Sequence, residues 1–85
     1  MRIDTSRIEK VLRKLKQKDP SLFRAVQRKI NQIAQLDYAA IMHFKNLRGN
    51  SSEYKRVHVG SFVLMFKVEK GTIIFDKFRH HDDAY

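Results

Sequence analysis

The groups best suited to chemistry crowd the C-terminus. The last eight residues read Phe78, Arg79, His80, His81, Asp82, Asp83, Ala84, Tyr85, whereas chain ends are commonly simple and solvated. Arginine offers a forked set of N–H donors that suits phosphate or carboxylate. Histidine, with an unperturbed pKa near ~6.5, gives and takes protons around neutral pH. A second basic group lies in "YKRVHV", where Arg56 and His58 alternate with Val57 and Val59. Strand side chains repeat every second residue, so Arg56 and His58 share a face. By the same parity an extended tail sends Arg79, His81, Asp83 and Tyr85 one way, and His80 and Asp82 the other. The run "HHDD" also contains metal-ligand types. Neighbours on a strand point apart, however, and a closed site needs about four converging ligands. No metal and no cofactor is expected. Asp82 and Asp83 are read as partners for nearby cations.

The totals bound what can surround these groups. Residues 1–85 make one domain with a single small core. Hydrophobic residues are 42% and charged residues 32% of the chain, a balance that fits a folded domain rather than a disordered one. The chain has no cysteine, which excludes disulfides, thiolate zinc sites and cysteine nucleophiles. A small domain without such staples suits a reducing cytoplasm. No apolar run approaches the ~20 residues of a membrane span, and "MRIDTSRIEK" lacks the pattern of a signal peptide. Lys and Arg number 18 against 9 Asp and Glu, a formal charge of +9. That excess calls for a polyanionic partner: nucleic acid, an acidic protein or an anionic surface.

The elements that must position the basic groups follow from periodicity. "MRID" alternates and predicts a short first strand. "SRIE" predicts a capping box, Ser6 capping the helix and Glu9 reaching back. Ile8, Val11, Leu12 and Leu15 form one helical stripe, with Arg7, Lys10, Arg13, Lys14 and Lys16 opposite. Asp19 and Pro20 suit the cap and first position of a second helix. Its stripe is Leu22, Phe23, Val26, Ile30 and Ile33, with Arg24, Arg28 and Lys29 facing away. The short link makes the two helices an antiparallel hairpin. The stretch "DYAAIMHFKNLRGNSSE" is ambiguous, and His43 within it is read as a packed or capping histidine. "GNSSE" is a loop. Three strands follow: "YKRVHV", a turn at Gly60-Ser61, an apolar and therefore covered "FVLMFKV", a turn at "EKG", and "TIIFDKF". The order β-α-α-β-β-β predicts an α+β domain, a helical hairpin packed on one face of a small, mostly antiparallel sheet.

Taken in order, these features resemble the RelE/ParE toxin superfamily. They are a short strand, two basic helices, "LRG" at Leu47 to Gly49, a tyrosine-led basic strand, a glycine turn and a histidine–tyrosine tail. The resemblance spans nearly the whole chain and points to the RelE branch. It implies a toxin of a toxin–antitoxin pair, an endoribonuclease that cuts mRNA in the ribosomal A site without a metal. Arg56, His58, Arg79, His81 and Tyr85 are the implied catalytic set. Arg56 and Arg79 would hold the scissile phosphate, and His58 or His81 would serve as acid or base. Tyr85 would stack on a base or orient the 2′-OH. Lys45, Arg48, Lys55, Lys77 and His80 would hold the RNA. The implied partners are a RelB-like antitoxin, in a toxin–antitoxin heterotetramer, together with mRNA and ribosomal RNA, and no membrane.

One position departs from that pattern. Where the RelE branch carries an arginine three residues after the turn glycine, this chain has Val63. Two other readings therefore stand beside the first. One is a ParE-like toxin acting on gyrase, which needs none of the tail's proton-transfer groups. The other is a catalytically weakened relative that binds RNA or the ribosome.

Overall fold

The computed structural model describes residues 1–44 and 54–84. Lys45, Arg48, the "LRG" motif, the "GNSSE" loop and Tyr85 lie outside the described residues. Strand β1 (Arg2–Asp4) leads through a 3-10 turn (Ser6–Ile8) into α1 (Glu9–Lys18) and α2 (Pro20–Ala34). A short α3 (Tyr38–Ile41) follows. Then come β2 (Lys55–Val59), β3 (Phe62–Glu69), β4 (Thr72–His80) and a final helical turn, α4 (His81–Ala84). The strands form one four-stranded sheet in the order β1-β4-β3-β2. β1 runs parallel to β4, and the other pairings are antiparallel. This is the expected α+β architecture, with α3 and α4 added to it.

The start of α1 differs from the expected capping box. Asp4 Oδ1 accepts from the Ser6 N–H at 2.9 Å and from the Ser6 hydroxyl at 2.6 Å. Among the described residues no side chain caps the 3-10 turn or α1. Asp4 thus takes the Ser6 N–H that Glu9 would accept in a capping box, and the chain closes an aspartate turn first. The helix begins at Glu9 instead. The two bonds from Ser6 hold the Asp4 carboxyl below the ordinary carboxylate range, aided by the nearby Arg7 charge. The second helix starts as the sequence implies. Asp19 accepts from the Leu22 N–H at 3.1 Å, and Pro20 takes the first helical position. Asp37 does the same for α3, accepting from the Ala40 N–H at 2.8 Å.

The hairpin of α1 and α2 lays its apolar stripes on the sheet. Ile8, Leu12, Val26, Ile30 and Ile33 meet Leu64, Phe66, Ile73, Phe75 and Phe78 in one buried cluster, joined by Ile41 of α3 and Val59 of β2. Val11 is the exception in its stripe: it sits at the flank and is 40% exposed. Phe66 and Phe75 are fully buried, with ring centroids 5.7 Å apart. Both β-hairpins use two-residue turns. Gly60 takes φ 60 before Ser61, and Lys70 and Gly71 both take positive φ. Such turns match the right-handed twist of paired strands. Among the described residues no helix is long and apolar enough to cross a membrane.

Two outcomes are expected. Phe66→Ala removes a ring with no solvent contact from the middle of this cluster and should cost about 3–5 kcal/mol, read by denaturant unfolding. Asp4→Ala should lower the melting temperature at neutral pH. A depressed carboxyl pKa stabilises the fold above its unfolded-state value, and that contribution fades as pH falls. The difference from wild type should therefore begin to shrink near pH ~3.9 and close as pH falls through the lower folded-state value; a difference that persists in strong acid would assign the loss to something other than the charged turn.

Candidate functional site

Register decides what the sheet's other face presents. In an antiparallel ladder, paired residues point the same way. His58 pairs with Val63, and Val63 pairs with Arg79. Arg56 pairs with Met65, and Met65 pairs with Lys77. Two rows thus run across β2, β3 and β4 on the face away from α1 and α2, each with cationic or titratable ends and an apolar centre. His58 and Arg79 stand two strand spacings apart, roughly 10 Å between Cα atoms. Val63 is fully buried and Met65 is 5% exposed. Tyr54 packs against this pair. Long cationic side chains cover apolar neighbours with their stems while the heads stay wet.

The tail does not stay extended. β4 ends at His80 and the chain turns into α4, so the parity expected beyond His80 fails. The turn is pinned where the His81 N–H donates to the Ser61 carbonyl at 2.8 Å. This bond to the β2–β3 turn folds His81 back, and its ring lies 5.6 Å from the His58 ring, tilted by 32°. Asp82 sits between the two tail histidines, its carboxylate 3.7 Å from His80 Nδ1 and 3.8 Å from His81 Nδ1. His80 Nδ1 also accepts from the Asp82 N–H at 3.3 Å. The turn brings His81 to His58 by a route that an extended strand would not take.

The proposed residues therefore divide. Arg56, His58, Lys77 and Arg79 share the open face, and His81 joins His58. His80 lies on the helix side: it pairs with Phe62, and its ring meets Phe62 edge-on at 5.3 Å. Lys55 also points to the helix side, with Val57 and Val59, and is 6% exposed. Neither belongs to the surface that carries Arg56 and Arg79. Lys45, Arg48 and Tyr85 lie outside the described residues. Among the described residues no three metal-binding side chains converge.

Other groups enter from unexpected places. His43, read as a packed or capping histidine, is exposed rather than packed. With Phe44, Arg56, Val57 and His58 it lines a cleft of about 350 Å³ at the β2 edge. Arg7 crosses to Asp76 on β4, Nη1 to Oδ1 at 2.8 Å. Asp76 raises the Arg7 pKa by hydrogen bond and charge, with a smaller contribution from Tyr54. Lys67 lies over the Tyr54 ring, 5.3 Å from its centroid. Asp76 falls in a bulge, because Met65 pairs with Lys77 while Phe66 pairs with Phe75. Phe75 and Phe78 both point at the helices although they lie three positions apart, which no regular strand allows.

The Arg7–Asp76 bond ties the β1–α1 connection to the bulge beside Lys77. A double-mutant cycle with Arg7→Ala and Asp76→Ala should show favourable coupling at low salt that shrinks at high salt, read by chemical denaturation. Additive effects at both salt levels would remove the pair from the account of this face.

No protein-family model matches the sequence. A curated protein of Methanocaldococcus jannaschii named "Putative toxin RelE4" is 40% identical over 81 residues, covering 92% of this chain and 82% of that one. The fold is similar to the crystal structure of YafQ from Escherichia coli strain BL21(DE3), with a TM-score of 0.71 at 18% identity over 100% of this chain and 99% of that one. A histidine-to-glutamine mutant of E. coli YafQ superposes with the same TM-score of 0.71, at 19% identity and the same coverage.

Proposed function

The chain belongs to the RelE family of toxins, and on that premise we propose that it is a metal-independent endoribonuclease that cuts mRNA in the ribosomal A site and so stops translation. A RelE-type toxin has an antitoxin partner. Here that partner is a RelB-like protein, met in the cytoplasm and held in a toxin–antitoxin heterotetramer. The observation that carries the reading is the open face of the sheet. It holds Arg56, His58, Lys77 and Arg79 on the outer two strands of the ladder, with the His81 ring folded against His58.

The chemistry that suits this face is attack of the ribose 2′ oxygen on the adjacent phosphorus. The new P–O2′ bond closes a cyclic phosphate, and the P–O5′ bond breaks. One histidine of the His58–His81 pair takes the 2′ proton, and the other returns a proton to the 5′ oxygen as it leaves. Two imidazoles of the same chemical type share this exchange when one is neutral and one charged. Arg79 and Arg56 place guanidinium donors on the phosphate as its negative charge grows, a stabilisation set up before the reaction. Lys77, beside Arg79 in β4, holds the neighbouring backbone. Tyr85 stacks on a base or orients the 2′-OH.

One observation favours a second reading. Val63 stands at the centre of the His58–Arg79 row, fully buried, where the RelE branch carries an arginine. A row with an apolar centre supplies one cation fewer to the phosphate. The corresponding protein is a slow nuclease, or a relative that binds RNA or the ribosome without cutting. The paired histidines speak for the nuclease over a gyrase-directed toxin, which has no use for proton transfer.

Expression of the chain without its antitoxin, with mRNA ends mapped during translation, tests the proposal. Wild type should leave codon-phased cuts. Arg79→Ala alone should slow cleavage by about 10²–10³-fold, and His81→Ala by about 10²–10⁴-fold. The double variant should show neither cuts nor growth arrest. Cuts that continue unchanged in the double variant would sink the assignment, and growth arrest by wild type without mRNA cuts would favour the other readings.

A further inference from the structure

The cleft at the β2 edge holds two aromatic groups that the cleavage chemistry does not use. His43 and Phe44 line it from the end of α3, and Arg56, Val57 and His58 line it from β2. The chain tightens after α3 and fixes both residues. The His43 N–H donates to the Ala40 carbonyl at 3.2 Å, and the Phe44 N–H donates to the Ile41 carbonyl at 3.1 Å. The Phe44 ring meets the buried Phe66 ring edge-on at 5.5 Å, which anchors it to the core. His43 is exposed. Arg56 and His58 belong both to this cleft and to the rows of the open face. Val57, between them, packs on the helix side. The cleft therefore wraps the outer edge of the sheet, beside the groups assigned to the phosphate. β2 is an edge strand, and among the described residues no strand pairs with its outer side.

We propose that this cleft takes one nucleobase of a single-stranded RNA, turned out beside the scissile phosphate, and that His43 with Phe44 sets a preference for a purine there. The inference rests on the cleavage reading for where the phosphate lies, and it adds which residues select the sequence. A nucleobase is flat, with an apolar face and an edge of donors and acceptors. Unstacked bases of single-stranded RNA are captured on aromatic rings and read along that edge. The cleft matches both features. Phe44, Val57 and His43 offer surface to the face of the base. The outer side of an edge strand presents backbone N–H and C=O groups to its edge, and a neutral imidazole adds one donor and one acceptor. A volume of about 350 Å³ is that of a small-ligand site. A peptide added to β2 as a further strand would need a groove along the whole strand. The neighbouring hollow of about 250 Å³ adds only Leu36 and Ala40 to the same two rings, so it offers the sugar and phosphate no cation. A purine covers more of the aromatic wall than a pyrimidine does, which gives the preference its direction.

The test compares two short single strands of 2′-O-methyl RNA, one all uridine and one with a single internal adenosine. Their riboses cannot attack the phosphate, so fluorescence anisotropy reads binding apart from cutting. Wild type should bind the adenosine strand about fivefold or more tightly than the uridine strand, the gain expected of one stacked base. His43→Ala should lose most of that gain, and His43→Phe, which keeps a flat ring, should recover it. His43 is exposed, so thermal melts should show both variants folded. Equal affinity of wild type for the two strands overturns the proposal. So does a folded His43→Ala variant that keeps the purine gain, whether or not it loses an acidic helical peptide; loss of the peptide alone would give the cleft to a protein. Equal loss in His43→Phe and His43→Ala overturns it as well, because the ring is what this wall supplies. The cleavage reading fails separately: mRNA cuts without a purine gain sink only the pocket, and a purine gain without cuts sinks only the nuclease.

Discussion

Everything in this domain depends on the register of the β2–β3–β4 ladder. Side chains alternate strictly along a strand, so a slip of one residue would exchange the two faces of the sheet. In the observed register Leu64, Phe66, Phe75 and Phe78 point at α1 and α2, and Arg56, His58, Lys77 and Arg79 point the other way. The core and the basic face are two consequences of one pairing. The hydrophobic stripe of the helices enforces it, because a slipped strand would drive arginine and lysine into that cluster, where an unpaired charge is costly.

The central strand shows how the two faces coexist. β3 is buried on both sides from Val63 to Phe66. On one side it meets the helices; on the other, Val63 and Met65 lie between the long side chains of β2 and β4 and under Tyr54. An apolar floor beneath cationic heads lowers the local dielectric, which strengthens their attraction for a phosphate. The bulge answers to the other side of the sheet. The extra residue at Asp76 lets Phe75 and Phe78 both reach the core, and it places a carboxylate where Arg7 fastens it from the β1–α1 connection.

Turn chemistry completes the arrangement. The Gly60-Ser61 turn closes the β2–β3 hairpin and leaves the Ser61 carbonyl to accept from the His81 N–H. That single bond converts the end of β4 into a helical turn and sets His81 beside His58. Asp82, near both His80 and His81, adds a negative charge to the turn. A position three residues after Gly60 on β3 would stand between His58 and Arg79 whatever side chain it carried, and here it carries Val63.

Much of this was written in residue types alone. The stripes of α1 and α2, the Asp19-Pro20 start, the alternation of Arg56 and His58 with Val57 and Val59, and the glycine turns are all local, set by periodicity and backbone preference, and so the α+β order could be read from them. What could not be read depended on partners distant in the chain. At short range, residue types also left open which of two carboxylates, Asp4 or Glu9, would take the Ser6 N–H, and Asp4 took it. His43 came to the surface beside Arg56. Strand parity already set His80 opposite Arg79 and Lys55 opposite Arg56, but the bulge appeared at Asp76, hinted at only by two phenylalanines, Phe75 and Phe78, three positions apart. His81 met His58 through a hydrogen bond to Ser61, twenty residues earlier in the chain. Sequence periodicity says which face a side chain takes while a strand lasts; only tertiary contacts decide where the strand stops and what the chain meets after it.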